Sequence, residues 1–177
     1  AFPKRALPFR TLVKHRETEQ VQLHIAFPGL PYLHRDAPAL SLMTLILGGS
    51  MSSRLFIAIR ERQGLCYSIR AGLSLYQDVG LLTIQAGLDK SRLEPAVAAI
   101  GRELKRLVAT PVTRDELLRA KEHIRGKLVL QLEDSEHVAH WLGKQQLLTG
   151  RIETPDQRLA RIERVTRADL QRLARTF

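Results

Sequence analysis

The run LGGSMSSRLFIAIRERQGLCYSIRAG, from Leu47 to Gly72, changes its periodicity twice within a few turns of chain. It opens on the end of an apolar helix, where Gly48-Gly49 stops the winding. Leu55, Phe56 and Ile59 then give one apolar face to a second helix over about Ser52–Gln63, and Gly64 supplies its stop. From Leu65 to Tyr76 the pattern LCYSIRAGLSLY predicts a strand. A buried helix, a short helix, a glycine corner and a strand therefore follow one another with almost no loop between them.

The flanking sequence extends this pattern. Upstream, QVQLHIAF (Gln20–Phe27) places Val21, Leu23, Ile25 and Phe27 on one side and Gln20, Gln22 and His24 on the other, the signature of a half-buried strand. FPGLPYLHRDAP reads as a loop in which Asp36 caps the helix over about Ala37–Leu47. Downstream, Gln77-Asp78 and Val79-Gly80 form a turn, and LLTIQAGL (Leu81–Leu88) returns as the hairpin partner. A helix over Leu93–Ala109 is broken at Thr110–Thr113. Thr113 with Glu116 makes a capping box for the next helix, which runs towards Leu148 with a bend near Asp134-Ser135. Thr154-Pro155 and Thr166 with Asp169 open two more helices. The order predicts an α+β fold with a largely antiparallel sheet.

The 177 residues, 44% hydrophobic and 26% charged, fit one domain over 1–177. Residues 1–18 form the lead-in and first-strand region, and Ala1–Arg10, with Pro3 and Pro8, is read as extended. The apolar run from Pro38 to Gly49 is far shorter than the ~20 residues of a membrane span, and no apolar signal-peptide core follows Ala1. Twenty-eight Lys and Arg against 18 Asp and Glu leave a formal net charge of +10, which permits nucleic-acid, acidic-lipid or acidic-protein partners without choosing among them. The single Cys66 forms no internal disulfide, so the compartment stays open.

The central segment resembles the C-terminal-half domain of the pitrilysin, insulinase and mitochondrial processing peptidase family, zinc peptidases of the inverzincin type. The shared pattern is Gly48-Gly49, Met51-Ser52-Ser53-Arg54-Leu55-Phe56, Ile59-Arg60-Glu61 and Gly64-Leu65-Cys66-Tyr67-Ser68. The likeness continues through Glu116-Leu117, Ala120-Lys121, LVLQLEDSE and ERVTRADLQRLA, so it covers nearly the whole chain. Ser50, where a third glycine is usual, and Cys66, where a small residue is common, are minor departures.

The resemblance implies a two-layer sandwich with helices packed on one face of an antiparallel sheet, the LuxS/MPP-like metallohydrolase fold. It implies that Arg60 and Tyr67 reach into the active site of a partner domain, bind the substrate peptide and polarise its scissile carbonyl. Such a cation and phenol can supply donors to a developing oxyanion. Without the family motif, Arg60 is a solvated helix residue and Tyr67 an ordinary strand aromatic. Zinc is expected in the partner, a homologous domain or a separate subunit, and peptide substrate between the two halves. A homo- or hetero-oligomer is compatible with that arrangement. The family also holds catalytically silent assembly subunits, which supplies the second reading.

No His-x-x-Glu-His occurs in the chain, so no zinc site and no peptidase activity are expected of it alone. His137 and His140 share a spacing that can place two ligands on one helical face, but no third ligand is suggested. Cys66 has no His or Asn at a convincing spacing and reads as an inert, half-buried thiol within its strand. Gly48-Gly49-Ser50 lacks the Lys of a phosphate loop. Arg158, Arg161, Arg164, Arg167, Arg172 and Arg175 are interleaved with Asp156, Glu163 and Asp169. They read as the charged outer face of an amphipathic helix pair rather than a nucleic-acid element. A basic nucleic-acid-binding module remains the third reading, and neither nucleic acid nor membrane is the expected partner.

Overall fold

A computed structural model describes residues 10–15 and 18–177, so most of the extended lead-in read over Ala1–Arg10 lies outside the described residues. Three strands, β1 (Val21–Gly29), β2 (Ser68–Leu75) and β3 (Gly80–Leu88), form an antiparallel sheet in the order β1-β3-β2. The alternation read in the first strand holds, with every second residue turned inward. Inner rows such as Leu23–Ala86–Ile69 and Ile25–Ile84–Ala71 meet the helices. Outer rows such as Gln22–Gly87–Ser68 and His24–Gln85–Arg70 do not, and Arg70 Nε donates to Gln85 Oε1 at 2.8 Å across that outer face.

Among the described residues there are six α-helices: α1 (Ala37–Gly48), α2 (Leu93–Ala109), α3 (Arg114–Leu132), α4 (Ser135–Thr149), α5 (Pro155–Glu163) and α6 (Arg167–Ala174). The α1 helix is apolar nearly all round because it is packed nearly all round, against β2 on one side and α3, α5 and α6 on others. Leu40, Leu42 and Leu47 are fully buried. Burying one such side chain stabilises the fold by about 1.5–3 kcal/mol. The result is the two-layer α+β arrangement expected from the sequence. Capping boxes close the N-termini of α3, α5 and α6 at Thr113/Glu116, Thr154/Gln157 and Thr166/Asp169.

Several local expectations are corrected. Asp36 stands at the N-cap of α1 but its side chain caps nothing. Its two oxygens accept instead from Arg172 of α6 at 2.9 and 2.8 Å. A bidentate charge-assisted pair outweighs one neutral N–H. The first strand runs on through Pro28, which was read as loop. A proline is tolerated there because β1 lies at the sheet edge, where a missing donor faces no neighbour. The long fourth helix is two helices, because Asp134 leaves helical geometry and accepts from the Glu136 N–H as the cap of α4. Gly48-Gly49 does end α1, yet neither glycine has a positive φ. A Cβ on Gly48 would lie 2.5 Å from the Ala71 nitrogen, so this glycine serves the close approach of α1 to β2.

Candidate functional site

The segment between α1 and β2 was read as an ordinary helix and a strand beginning at Leu65. It is wound more widely and the strand starts later. Phe56–Glu61 is a π-helical turn, with Arg62 N–H reaching back five residues to Ile57 O at 3.0 Å. π-turns are rare and occur often at functional sites. Leu55 and Ile59, four residues apart, are both fully buried, which pins the inner side of the turn and leaves Arg60 and Glu61 outside. The Leu65 N–H then bonds Ile59 O at 3.0 Å and the Gly64 N–H bonds Arg60 O at 3.1 Å.

Gly64 makes the corner at φ +58, in the left-handed region. A Cβ there would touch nothing, so the requirement for glycine comes from the backbone conformation alone. The Gly64 carbonyl accepts a hydrogen bond from Arg92 Nη1, contributed by the 3₁₀ turn Lys90–Arg92 that follows β3. Beyond the corner, the Tyr67 N–H bonds Gly87 O of the central strand at 2.8 Å. The corner backbone is thus tied to its own helical turn, to the β3–α2 connection and to the sheet.

Both side chains singled out by the sequence are exposed on this corner. The Arg60 guanidinium lies over the Phe56 ring, 4.7 Å from its centroid, a contact worth about 0.5–1 kcal/mol at an exposed site. Tyr67 precedes β2 and is 57% exposed. Among the described residues no hydrogen bond joins the two. Arg60 is near enough to the intervening Cys66 for its charge to act on the thiol. Burial pushes that thiol up, and the neighbouring Arg60 charge only partly opposes it. Cys66 is 7% exposed and lies before β2 rather than inside it, so it is a buried, protonated thiol.

Sequence reasoning missed the supports of this corner. The Phe56–Arg60 spacing of four was a usable signal, whereas nothing local points to Arg92, 28 residues from Gly64. It also missed Arg54. This residue is 8% exposed, and its Nε and Nη2 donate to Glu116 Oε1 and Oε2 at 2.7 and 2.9 Å. Glu116 Oε2 accepts the Thr113 N–H at 2.7 Å as well. Burial alone would raise the Glu116 carboxyl, but the Arg54 fork and the Thr113 N–H override it and hold it at about 2.

The other candidates are dispersed. His137 Nδ1 lies 2.7 Å from Asp134 Oδ2. Among the described residues no three His, Cys, Asp or Glu side chains are grouped to hold a metal ion, so the donor set does not fit zinc. No described helix is long and apolar enough to cross a membrane. Of the C-terminal arginines, Arg167 donates to Val112 O at 2.6 Å, Arg172 grips Asp36 and Arg161 meets Glu153 at 3.0 Å. These are ties between elements of the fold.

Comparison with known proteins adds four likenesses. A family model described as the peptidase M16 inactive domain matches residues 2–124. The chain is 37% identical over 164 residues to the "Uncharacterized zinc protease YmxG" of Bacillus subtilis (strain 168), covering 93% of this chain and 40% of that protein. The chain therefore spans well under half the length of that relative. Its fold matches a protease from Helicobacter pylori at TM-score 0.82 and 21% identity, over 90% of this chain and 38% of that one. It also matches a chain of complex III2 from Candida albicans at TM-score 0.79 and 16% identity, over 90% and 40% of the two chains.

Proposed function

This chain belongs to the family of the peptidase M16 inactive domain, and on that premise we propose that it is the substrate-binding, non-zinc half of a zinc-dependent metalloendopeptidase. Arg60 and Tyr67 act on the substrate in the active site of a zinc-bearing homologous domain or subunit. The observation that supports this most directly is the exposure of both side chains on a corner whose backbone is held from three directions. An arginine fork and a phenol O–H can donate to the scissile carbonyl oxygen as negative charge develops on it. Donors already in place cost little reorganisation at that moment. The metal and its chemistry belong to the partner, and this chain contributes orientation and charge stabilisation.

The test is kinetic, in the complete protein or the reconstituted pair. Tyr67→Phe removes one donor and keeps the ring. It is expected to lower kcat about 10²–10³-fold with little change in KM. Arg60→Lys keeps the charge but loses the planar fork and is expected to be impaired too. The double variant should cost less than the product of the singles if both donors grip one oxygen. Near-normal turnover in Tyr67→Phe and Arg60→Ala, with the fold intact, leaves the second reading, a silent assembly subunit. The isolated chain is expected to retain no stoichiometric zinc after dialysis against a weak chelator and to cleave no peptide. One zinc kept per chain would overturn the assignment of the metal to the partner.

A further inference from the structure

Neither Arg60 nor Tyr67 is fixed by burial, since both side chains are exposed. Their separation is set by the backbone that joins them, and that backbone turns at Gly64. A glycine at φ +58 with open space around it has more freedom than any other residue, so an unsupported corner would swing. Hydrogen bonds to the corner decide whether it keeps one shape.

One short stretch of chain holds both arms of the corner. On the arm towards Tyr67, the Gly87 carbonyl of β3 accepts the Tyr67 N–H at 2.8 Å. On the arm towards Arg60, Arg92 Nη1 donates to the Gly64 carbonyl, and the N–H of the same glycine donates to Arg60 O at 3.1 Å. Arg92 is thus linked to the Arg60 backbone through a single residue. Gly87 and Arg92 are only five positions apart.

That stretch is stiff. It leaves β3, the central strand of the three. Asp89 Oδ1 then accepts from the Ser91 N–H at 2.8 Å and from Ser91 Oγ at 2.6 Å, and the Arg92 N–H bonds Asp89 O at 3.0 Å. The Asp89 carboxylate is taken up by Ser91, which leaves the Arg92 fork for Gly64. Leu93 opens α2, whose Ala96, Ala99 and Ile100 are buried in the core.

We propose that Arg92 is a positioning residue for Arg60 and Tyr67. It acts through the Gly64 carbonyl and not on the substrate, and together with Gly87 it sets the distance between the two donors. The inference rests on the catalytic reading of that pair. Water competes for an exposed hydrogen bond, so this one adds little to the stability of the fold. Catalysis is more demanding, because a misplacement of about 1 Å can cost about 10²-fold in rate. Loss of Arg92 is therefore felt in turnover before it is felt in stability.

The experiment compares Arg92→Ala, Arg92→Lys, Lys90→Ala and Tyr67→Phe in the complete protein. Three quantities are read: kinetics on a quenched fluorogenic peptide that the parent cleaves, the melting temperature, and hydrogen exchange over residues 62–68. Arg92→Ala is expected to lower kcat about tenfold with KM and melting temperature unchanged. The Gly64, Leu65 and Tyr67 amides, all hydrogen-bonded in the parent, should exchange faster. A lysine can still donate to the carbonyl, so Arg92→Lys should restore slow exchange and most of the turnover. Lys90→Ala removes the neighbouring exposed cation and should behave as the parent. Added to Tyr67→Phe, Arg92→Ala should cost less than the product of the two singles, because the hydroxyl it would misplace is already gone.

Unchanged exchange at the corner in Arg92→Ala would overturn the proposal, and so would a double variant as impaired as that product. Normal turnover in Arg92→Ala beside an impaired Tyr67→Phe would overturn this inference alone. Normal turnover in Tyr67→Phe would overturn the catalytic reading and this inference with it.

Discussion

Arg54 and Arg60 lie six residues apart in one motif and do opposite work. Arg54 is turned into the protein, with its fork closed on Glu116, 62 residues away. Arg60 is turned out, with the Phe56 ring beneath it. The π-turn between them sets the difference. Leu55 and Ile59 hold one side of it in the core, so the extra residue of the wide turn is accommodated on the solvent side. The first arginine is spent on the fold and the second is left exposed. A substitution that damages activity at either position therefore means different things, and stability is the quantity that separates them.

The largest expected effect tests that separation directly. Arg54→Ala leaves the half-buried Glu116 carboxylate without its partner and should cost about 3 kcal/mol in urea unfolding, the low end for breaking a buried pair. Arg60→Ala should stay within about 0.5 kcal/mol of the parent, as exposed substitutions do. Comparable losses at both positions would break the contrast. Arg54 is for this reason unsuitable as a control for damage to the corner.

Acid sharpens the same point. The folded Glu116 carboxyl sits at about 2, against an ordinary 4.5. A lowered folded value gives stability that is fully present above the ordinary value and is lost as pH falls towards the folded one. Between pH 4.5 and 2 this group should remove about 3 kcal/mol or less. Glu116→Gln should start less stable at neutral pH and show a shallower loss over that window. An unchanged slope would mean that the pair does not govern acid stability.

Smaller effects follow at the edges of the two regions. Gly64→Ala meets no steric obstacle, so its expected cost of about 1–2 kcal/mol comes from the left-handed backbone alone. Chemical unfolding would measure it, and a neutral result would show that the corner relaxes to another conformation. Asp36→Asn weakens the tie to Arg172, whose side chain is 48% exposed, and should cost about 0.5 kcal/mol. The carboxyl of Asp36 is held below its ordinary value chiefly by the hydrogen bond from Arg172. Salt titration of the melting temperature in the parent and in Asp36→Asn would check that this contribution is electrostatic.

Much of the fold was legible because its signals are local. The alternation of Val21, Leu23, Ile25 and Phe27 identified β1, and the threonine caps placed the starts of α3, α5 and α6 without reference to anything distant. Gly64 was legible as a stop for the same reason. The candidate site was legible only in part. The motif pointed to Arg60 and Tyr67, and both are exposed, but their spacing could not report the π-turn that carries one or the late strand start that follows the other.

Sequence by itself determined the α+β pattern and the ends of most helices, because caps, glycine stops and apolar periods act within a few residues, while the motif from Gly48 to Ser68 carried the resemblance that implied the family and its two layers. The tertiary structure alone decided which polar groups are spent on the fold. Asp36 looked like a cap and became half of a pair with Arg172, 136 residues away. Arg54 looked like a helix charge and became the buried partner of Glu116. Charge pairs form wherever folding brings opposite groups together, and a two-pronged Arg–carboxylate geometry lets even the half-exposed Asp36–Arg172 pair displace a local cap. Arg60, in the same motif as Arg54, has no carboxylate within salt-bridge distance among the described residues and stays exposed, as does Tyr67.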